Sequence, residues 1–211
     1  MRIPSTSSIR TRRTAQATIN DDRILDAARR VFLRNPHAPI STVAAEAGMG
    51  ISALYLRYRS KEQLLRQLCQ EGLRRYITET EAALADSREI WLVYSDFMHR
   101  IVDADTHSLV LRLAGTFKPT KELRLQAARS QELTIELFSR VKTTGGIRAD
   151  IEVVDIALVF EQLAAIQIGD AQRTAQLRRR YLALILVSLR NPVGSPLPGP
   201  PPSWEDINSR W

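Results

Sequence analysis

The sequence predicts an all-α fold, and three observations carry that expectation. From Ile24 to Leu189, apolar residues recur at spacings of three and four, the period of a helix with one buried face. No useful length shows the strict alternation of a half-buried strand. Helix-breaking signals stand between the periodic runs, at Asn35-Pro36, Gly48, Gly145-Gly146 and Gly169-Asp170. About nine helices are expected.

In chain order, residues 1–19 carry Arg2, Arg10, Arg12 and Arg13, no acid and no apolar period, and read as a flexible basic arm. Asn20 suits the cap of a first helix whose opening turn holds Asp21 and Asp22, the sign favoured by the helix dipole. Its stripe is Ile24, Ala28, Val31 and Phe32, and Asn35-Pro36 ends it. Pro39 fits the first turn of a second helix, where a missing N–H costs nothing. That helix holds Ile40, Val43, Ala44 and Ala47 and stops at Gly48. After the turn Met49-Gly50 comes a short third helix, Ile51 to Arg57. Ser60 to Gln63 form a capping box that opens a long fourth helix through Leu64, Leu65, Leu68, Leu73, Tyr76 and Ile77. Further helices are expected near 87–104, 106–115, 120–143, 151–169 and 171–190. The last 21 residues begin NPVGSPLPGPPPS, which excludes a regular helix there. Trp204, Ile207 and Trp211 within that tail suggest docking, with no indication of where. The expected domains are the arm 1–19, a small domain 20–66, a larger helical domain 67–190, and a Pro-rich tail 191–211.

Composition narrows the function. The 211 residues are 44% hydrophobic and 25% charged, as in ordinary globular proteins. The lone cysteine, Cys69, excludes an intrachain disulfide framework, suits a reducing cytoplasm, and reads as a buried apolar thiol. The N-terminal twenty residues have no apolar core and do not read as a secretory signal. The stretch Ile151 to Ile168 is interrupted by Glu152, Asp155 and Glu161, and Tyr181 to Leu189 is too short to cross a bilayer, so no membrane span is expected. Charge is concentrated at one end. Residues 1–75 hold 14 Lys and Arg against 6 Asp and Glu, a net of +8, leaving −1 for the rest of a chain whose total is +7. A basic third on a neutral scaffold points to a polyanion partner: DNA, with anionic lipid and acidic protein as rivals.

Two short helices joined by a glycine turn in that basic region fit a helix-turn-helix. Val43, Ala44, Ala47 and Leu54 supply small apolar contacts, and the alanines let the helices approach closely. The string VAAEAGMGISALYLRYRSKEQLL closely resembles the signature of the tetracycline-repressor (TetR) family. The matching residues are Val43-Ala44, Ala47-Gly48, Leu54-Tyr55, Tyr58, and Ser60-Lys61-Glu62 with Leu64; GGIRADIEVVDIALVFEQLAA is a weaker second match. The resemblance covers 20–66 in sequence and the rest in length and helix layout. It implies a homodimeric, ligand-responsive repressor on a palindromic DNA operator. It places Tyr55, Lys61 and Ser41 at phosphates, Arg57 at DNA, and the first turn of the third helix, Ile51-Ser52-Ala53, at base edges. Ile51 and Ala53 offer no hydrogen bonds, so readout there rests on thymine methyls. Gly50 stands where the family usually has a polar cap. Arg10, Arg12 and Arg13 are candidates for the adjacent minor groove, or form a solubilising tail.

In the C-terminal part, the helices at 151–169 and 171–190 are apolar on nearly all sides, which demands burial all round. The resemblance implies that they form a four-helix bundle with their symmetry mates. Trp91, Tyr94, Met98, Phe117, Phe138 and Phe160 are the candidates for a small-molecule effector cavity. Trp91, Tyr94 and Met98 share one helix face, a pattern that on its own marks core; the resemblance makes it a ligand wall. His99, Asp103 and His107 would share a face on one continuous helix and offer metal ligands. The helix start at Asp105-Thr106 separates His107 from the others, so ordinary surface or pocket residues are expected. Arg178-Arg179-Arg180 reads as a solvated run or as partners for acids. No Ser-His-Asp set, phosphate-binding glycine loop or paired carboxylates point to an enzyme, and no cofactor is expected. The competing function is a helical adaptor or membrane-surface protein using its basic end.

Overall fold

The structure, a computed structural model, describes residues 21–113, 116–190 and 195–208. The arm with Arg10, Arg12 and Arg13, and Trp211, lie outside the described residues. Among the described residues there are helices and no strands: α1 (21–34), α2 (Ile40–Glu46), α3 (Ile51–Arg57), α4 (Lys61–Ala85), α5 (Ile90–Ala104), α6 (Thr106–Leu113), α7 (Lys121–Thr143), α8 (Val153–Ala165), α9 (Ala171–Arg190) and α10 (Trp204–Asn208). The chain divides into two compact units, Met1–Leu68 and Cys69–Trp211, with α4 running through the boundary.

In the first unit the apolar stripes meet as a small core. Phe32, Val43, Leu54 and Leu64 have no accessible surface, and Ala27, Ala28 and Ala44 fill the narrow gaps. Burying side chains of this size stabilises by about 1.5–3 kcal/mol each. The chain between helices is tied by its own polar groups. Asn35 Oδ1 accepts from His37 N at 3.0 Å after α1, and Arg23 Nη2 donates to the Ala47 carbonyl at 3.2 Å where α2 ends. Gly48 then adopts φ +66°, a conformation that glycine takes without the Cβ clash of other residues.

In the second unit α5 is central, packing against α6, α7, α8 and α9. Its start is capped by Glu89, whose carboxylate accepts from the N–H groups of Trp91 and Leu92 at 3.0 Å each. Phe97, Met98, Ile101 and Val93 are buried in a core shared with Leu137, Val141, Phe160 and Leu182. A polar tie crosses it. Thr134 donates its one hydroxyl hydrogen to the Ser130 carbonyl at 2.7 Å, so Tyr76 on α4 is the donor in its 3.0 Å bond to Thr134 Oγ1.

Two expectations are corrected. The helix expected at 151–169 spans only Val153–Ala165. At and just past its end, the carbonyls of Ala164 and Ile166 accept from Arg178, and Ile168 exchanges two hydrogen bonds with the Thr174 hydroxyl, so the backbone is committed to side chains on α9 instead of to another turn. The tail, expected to contain no helix, forms α10, because Ser203 and Asp206 cap it reciprocally: Ser203 N donates to Asp206 Oδ2 at 2.7 Å and Asp206 N to Ser203 Oγ at 3.2 Å. The tail also docks. Arg148 Nη2 donates to the Ser195 carbonyl at 2.9 Å, and Leu197 N to Asp150 Oδ2 at 3.0 Å.

Candidate DNA interface and ligand cavity

The α2–turn–α3 segment presents α3 as a short exposed helix on one buried anchor. Leu54 is fully buried and Tyr58, just beyond α3, is 7% exposed. Ile51, Ser52, Ala53 and Tyr55 all face outward. Leu56 is exposed as well, at 88%, and was not among the residues singled out from sequence. A signal existed: two residues past the buried Leu54, a helical side chain points about 200° away from it. Ser41 is exposed in the first turn of α2, whose N-cap, Pro39, makes no side-chain cap bond.

Two of the cations at this end, Arg57 and Lys61, are engaged within the first unit. Arg57 forms a two-pronged ion pair with Asp21 on α1. Lys61 opens α4, donates to the Pro36 carbonyl at 3.0 Å and lies over the Phe32 ring at 5.2 Å. Partial burial lowers its pKa, yet an ammonium has three donors and one is accounted for by Pro36. Ser60 Oγ accepts from Gln63 N at 3.1 Å, and Gln63 Oε1 accepts from Arg59 N at 2.8 Å, so the box that opens α4 closes on the residue before Ser60. On α2, Glu46 takes both Arg30 and Arg34 at 2.8 Å, which holds its carboxyl below the usual range.

In the second unit Trp91, Tyr94, Met98 and Phe138 are buried in the core, with Tyr94 tilted against both Trp91 and Phe97. Phe117 is half-buried in the segment before α7. A void lies elsewhere, among α5, α6, α8 and α9, and of the six candidates Phe160 alone lines it. Three further lining residues, Asp105, His107 and Arg178, are polar. His107 stacks on Phe160 at 4.8 Å between ring centroids and meets Tyr76 edge-on at 5.8 Å. Burial pushes its pKa down to about 4, so the ring is neutral near pH 7. Arg178 is 6% exposed and pairs with Asp105 at 2.6 Å, while Arg179 pairs with Asp103 at 2.7 Å. His99 and Asp103 are on α5 and His107 on α6, with Asp105 between them at φ 51°. Among the described residues no three His, Cys, Asp or Glu side chains are placed to hold a metal ion. Among them, too, no helix is long and apolar enough to cross a membrane.

Comparison with known proteins agrees with this geometry. Residues 24–68 match the family model described as bacterial regulatory proteins, tetR family. No curated protein matches the sequence. Among solved structures, a TetR transcriptional regulator from Streptomyces coelicolor is 25% identical, with a TM-score of 0.56 over 82% of this chain and 99% of its own. The TetR-like regulator LfrR from Mycobacterium smegmatis, solved in complex with proflavine, is 20% identical with a TM-score of 0.59 over 85% and 99%. A structure described as a gamma-butyrolactone receptor is 20% identical with a TM-score of 0.61 over 84% and 91%. Residues 24–68 thus match the tetR-family regulatory segment that holds the helix-turn-helix, and the helical layout of the chain is similar to that of these regulators.

Proposed function

We propose that this regulator is a repressor that binds a palindromic operator as a homodimer and leaves it when a small molecule binds the second unit. The observation that carries the reading is α3: a seven-residue helix, anchored by Leu54, whose remaining side chains face outward in a strongly basic end of the chain. A helix so mounted suits the major groove. Ile51, Ala53 and Leu56 would meet thymine methyls, Ser52 would donate or accept at base edges, and Ser41, Tyr55, Arg57 and Lys61 would face the backbone. Arg12 and Arg13 would add minor-groove contacts.

Dimerisation is supported by α9. Tyr181, Leu184 and Val187, three apart, are 49%, 56% and 73% exposed, an apolar row without cover in the single chain. A symmetry-related α8–α9 pair would bury it. The effector reading draws on relatives: one was solved with proflavine and another is described as a gamma-butyrolactone receptor. In this chain the effector would bind near Phe160, with Trp91, Tyr94, Met98, Phe117 and Phe138 as the wider wall. Because α4 contributes residues to both units, a ligand that displaces it would change the separation of the two α3 helices. Coupling of this kind is typically about 1–3 kcal/mol and acts equally on both ligands.

The test is a competition between duplex DNA and anionic phospholipid vesicles for the purified protein. Retention on duplex in vesicle excess supports the reading; transfer to vesicles supports a membrane-surface protein in its place.

A further inference from the structure

We infer that the void among α5, α6, α8 and α9 is the polar end of the effector site, and that it takes a neutral hydrogen-bonding head group, such as a primary amide, on an apolar body. The inference rests on the effector reading above for its regulatory meaning, and on the following geometry for its chemistry. Five of its lining residues, Ile101, Val102, Phe160, Leu163 and Ala164, are apolar. The polar wall is incompletely satisfied. Arg178 donates to Asp105 Oδ1 at 2.6 Å, to the Ala164 carbonyl at 2.9 Å and to the Ile166 carbonyl at 3.1 Å. A guanidinium has five N–H groups, so two remain for a ligand acceptor. His107 Nδ1 is buried with no hydrogen-bond partner, an arrangement that native interiors avoid.

Charge selects the class. Asp105 neutralises Arg178, and His107 is uncharged near neutral pH. A carboxylate or ammonium brought into this place would be desolvated without a free counter-charge, whereas a neutral amide exchanges its bonds to water for bonds to protein. Its carbonyl would accept from Arg178, and its N–H or carbonyl would pair with His107 Nδ1 in whichever tautomer the ring holds. The void itself is about the size of a water molecule, so a ligand's body needs more room. Asp105 supplies the joint. It is the one non-glycine residue with positive φ among the described residues and it links α5 to the eight-residue α6, whose outward swing would widen the void.

Octanamide, octanoate and octylammonium share one apolar chain and differ in the head, and each is titrated into the full-length protein at neutral pH. The chain has three histidines, so His107 is assigned in the imidazole ¹⁵N spectrum by comparison with His107→Phe. The expected result is that octanamide moves the His107 nitrogen signals and binds at least tenfold more tightly than either charged analogue. His107→Phe, which keeps a ring against Phe160, and Arg178→Lys each weaken it tenfold or more. Absence of octanamide binding, preference for a charged head, or binding that leaves His107 unmoved overturns the inference. Duplex binding is measured on the same samples. Retained duplex binding with a silent His107 refutes the site alone, and octanamide binding without duplex binding refutes the regulator.

Discussion

Replacing His107 with Phe should change how the protein tolerates acid. In the folded chain the ring is stacked on Phe160, its Nδ1 is buried without a partner, and its pKa is pushed down to about 4 from an ordinary 6.5. The unfolded chain takes up the proton near the ordinary value, so between these two limits the unfolded state binds more protons. Stability is therefore complete above the ordinary value and falls as pH drops from 6.5 toward 4. One pKa unit corresponds to about 1.4 kcal/mol, so at about pH 4.5 the loss from this residue is roughly 2–3 kcal/mol. Phe cannot be protonated and keeps the stacked contact. Urea unfolding followed by tryptophan emission reads the second unit, which contains all three tryptophans. Wild type and His107→Phe compared from about pH 7 to about pH 4.5 should diverge by that amount, with the variant the flatter. Other titrating groups are common to both chains and cancel in the difference. Parallel curves would refute the claim that this ring is held neutral by burial.

Leu54→Ala should destabilise the first unit by about 3–5 kcal/mol, since a fully buried leucine that anchors α3 is removed; a loss under about 1 kcal/mol in chemical denaturation would mean that α3 is held otherwise. Lys61→Met removes a charged hydrogen bond to the Pro36 carbonyl and the contact with Phe32, at about 1–2 kcal/mol. It should also weaken duplex binding alike for every sequence, as fluorescence anisotropy on unrelated duplexes would show. Arg178→Leu strips the guanidinium from Asp105 and from two backbone carbonyls and should cost about 3–5 kcal/mol in the second unit, measured by urea unfolding.

How far the fold was legible in sequence depended on whether the deciding contact was local. The bounds of α2 and α3 follow from Pro39, Gly48 and Gly50, which act within a turn of themselves. The break between α5 and α6 was likewise readable from Asp105-Thr106. The early end of α8 was not, because it is set by Thr174 and Arg178 on α9, through hydrogen bonds that join residues 6, 12 and 14 apart. The α10 cap, Ser203 with Asp206, was a local signal overshadowed by the prolines before it. At the proposed DNA face the outward residues of α3 followed from helical period, whereas the pairing of Arg57 with Asp21 and the turn of Lys61 toward Pro36 join residues 36 and 25 apart and leave no trace in either local segment. The aromatic stripe Trp91, Tyr94 and Met98 was visible, but the void beside His107 depends on four helices meeting.

The most direct test of the central claim is selection of duplexes from a randomised pool by the full-length protein, followed by sequencing. A homodimer reading DNA through two α3 helices should enrich a two-fold symmetric site with half-sites about one helical turn, roughly 34–36 Å, apart. Affinity for that site should fall on the order of a thousandfold or more between about 50 and 200 mM salt, as for roughly 6–10 phosphate contacts. Joint replacement of Ile51, Ser52 and Leu56 by Ala should erase the preference while sparing weak binding to any duplex. A pool that emerges without an enriched sequence, or an enriched site indifferent to that triple replacement, would contradict the account.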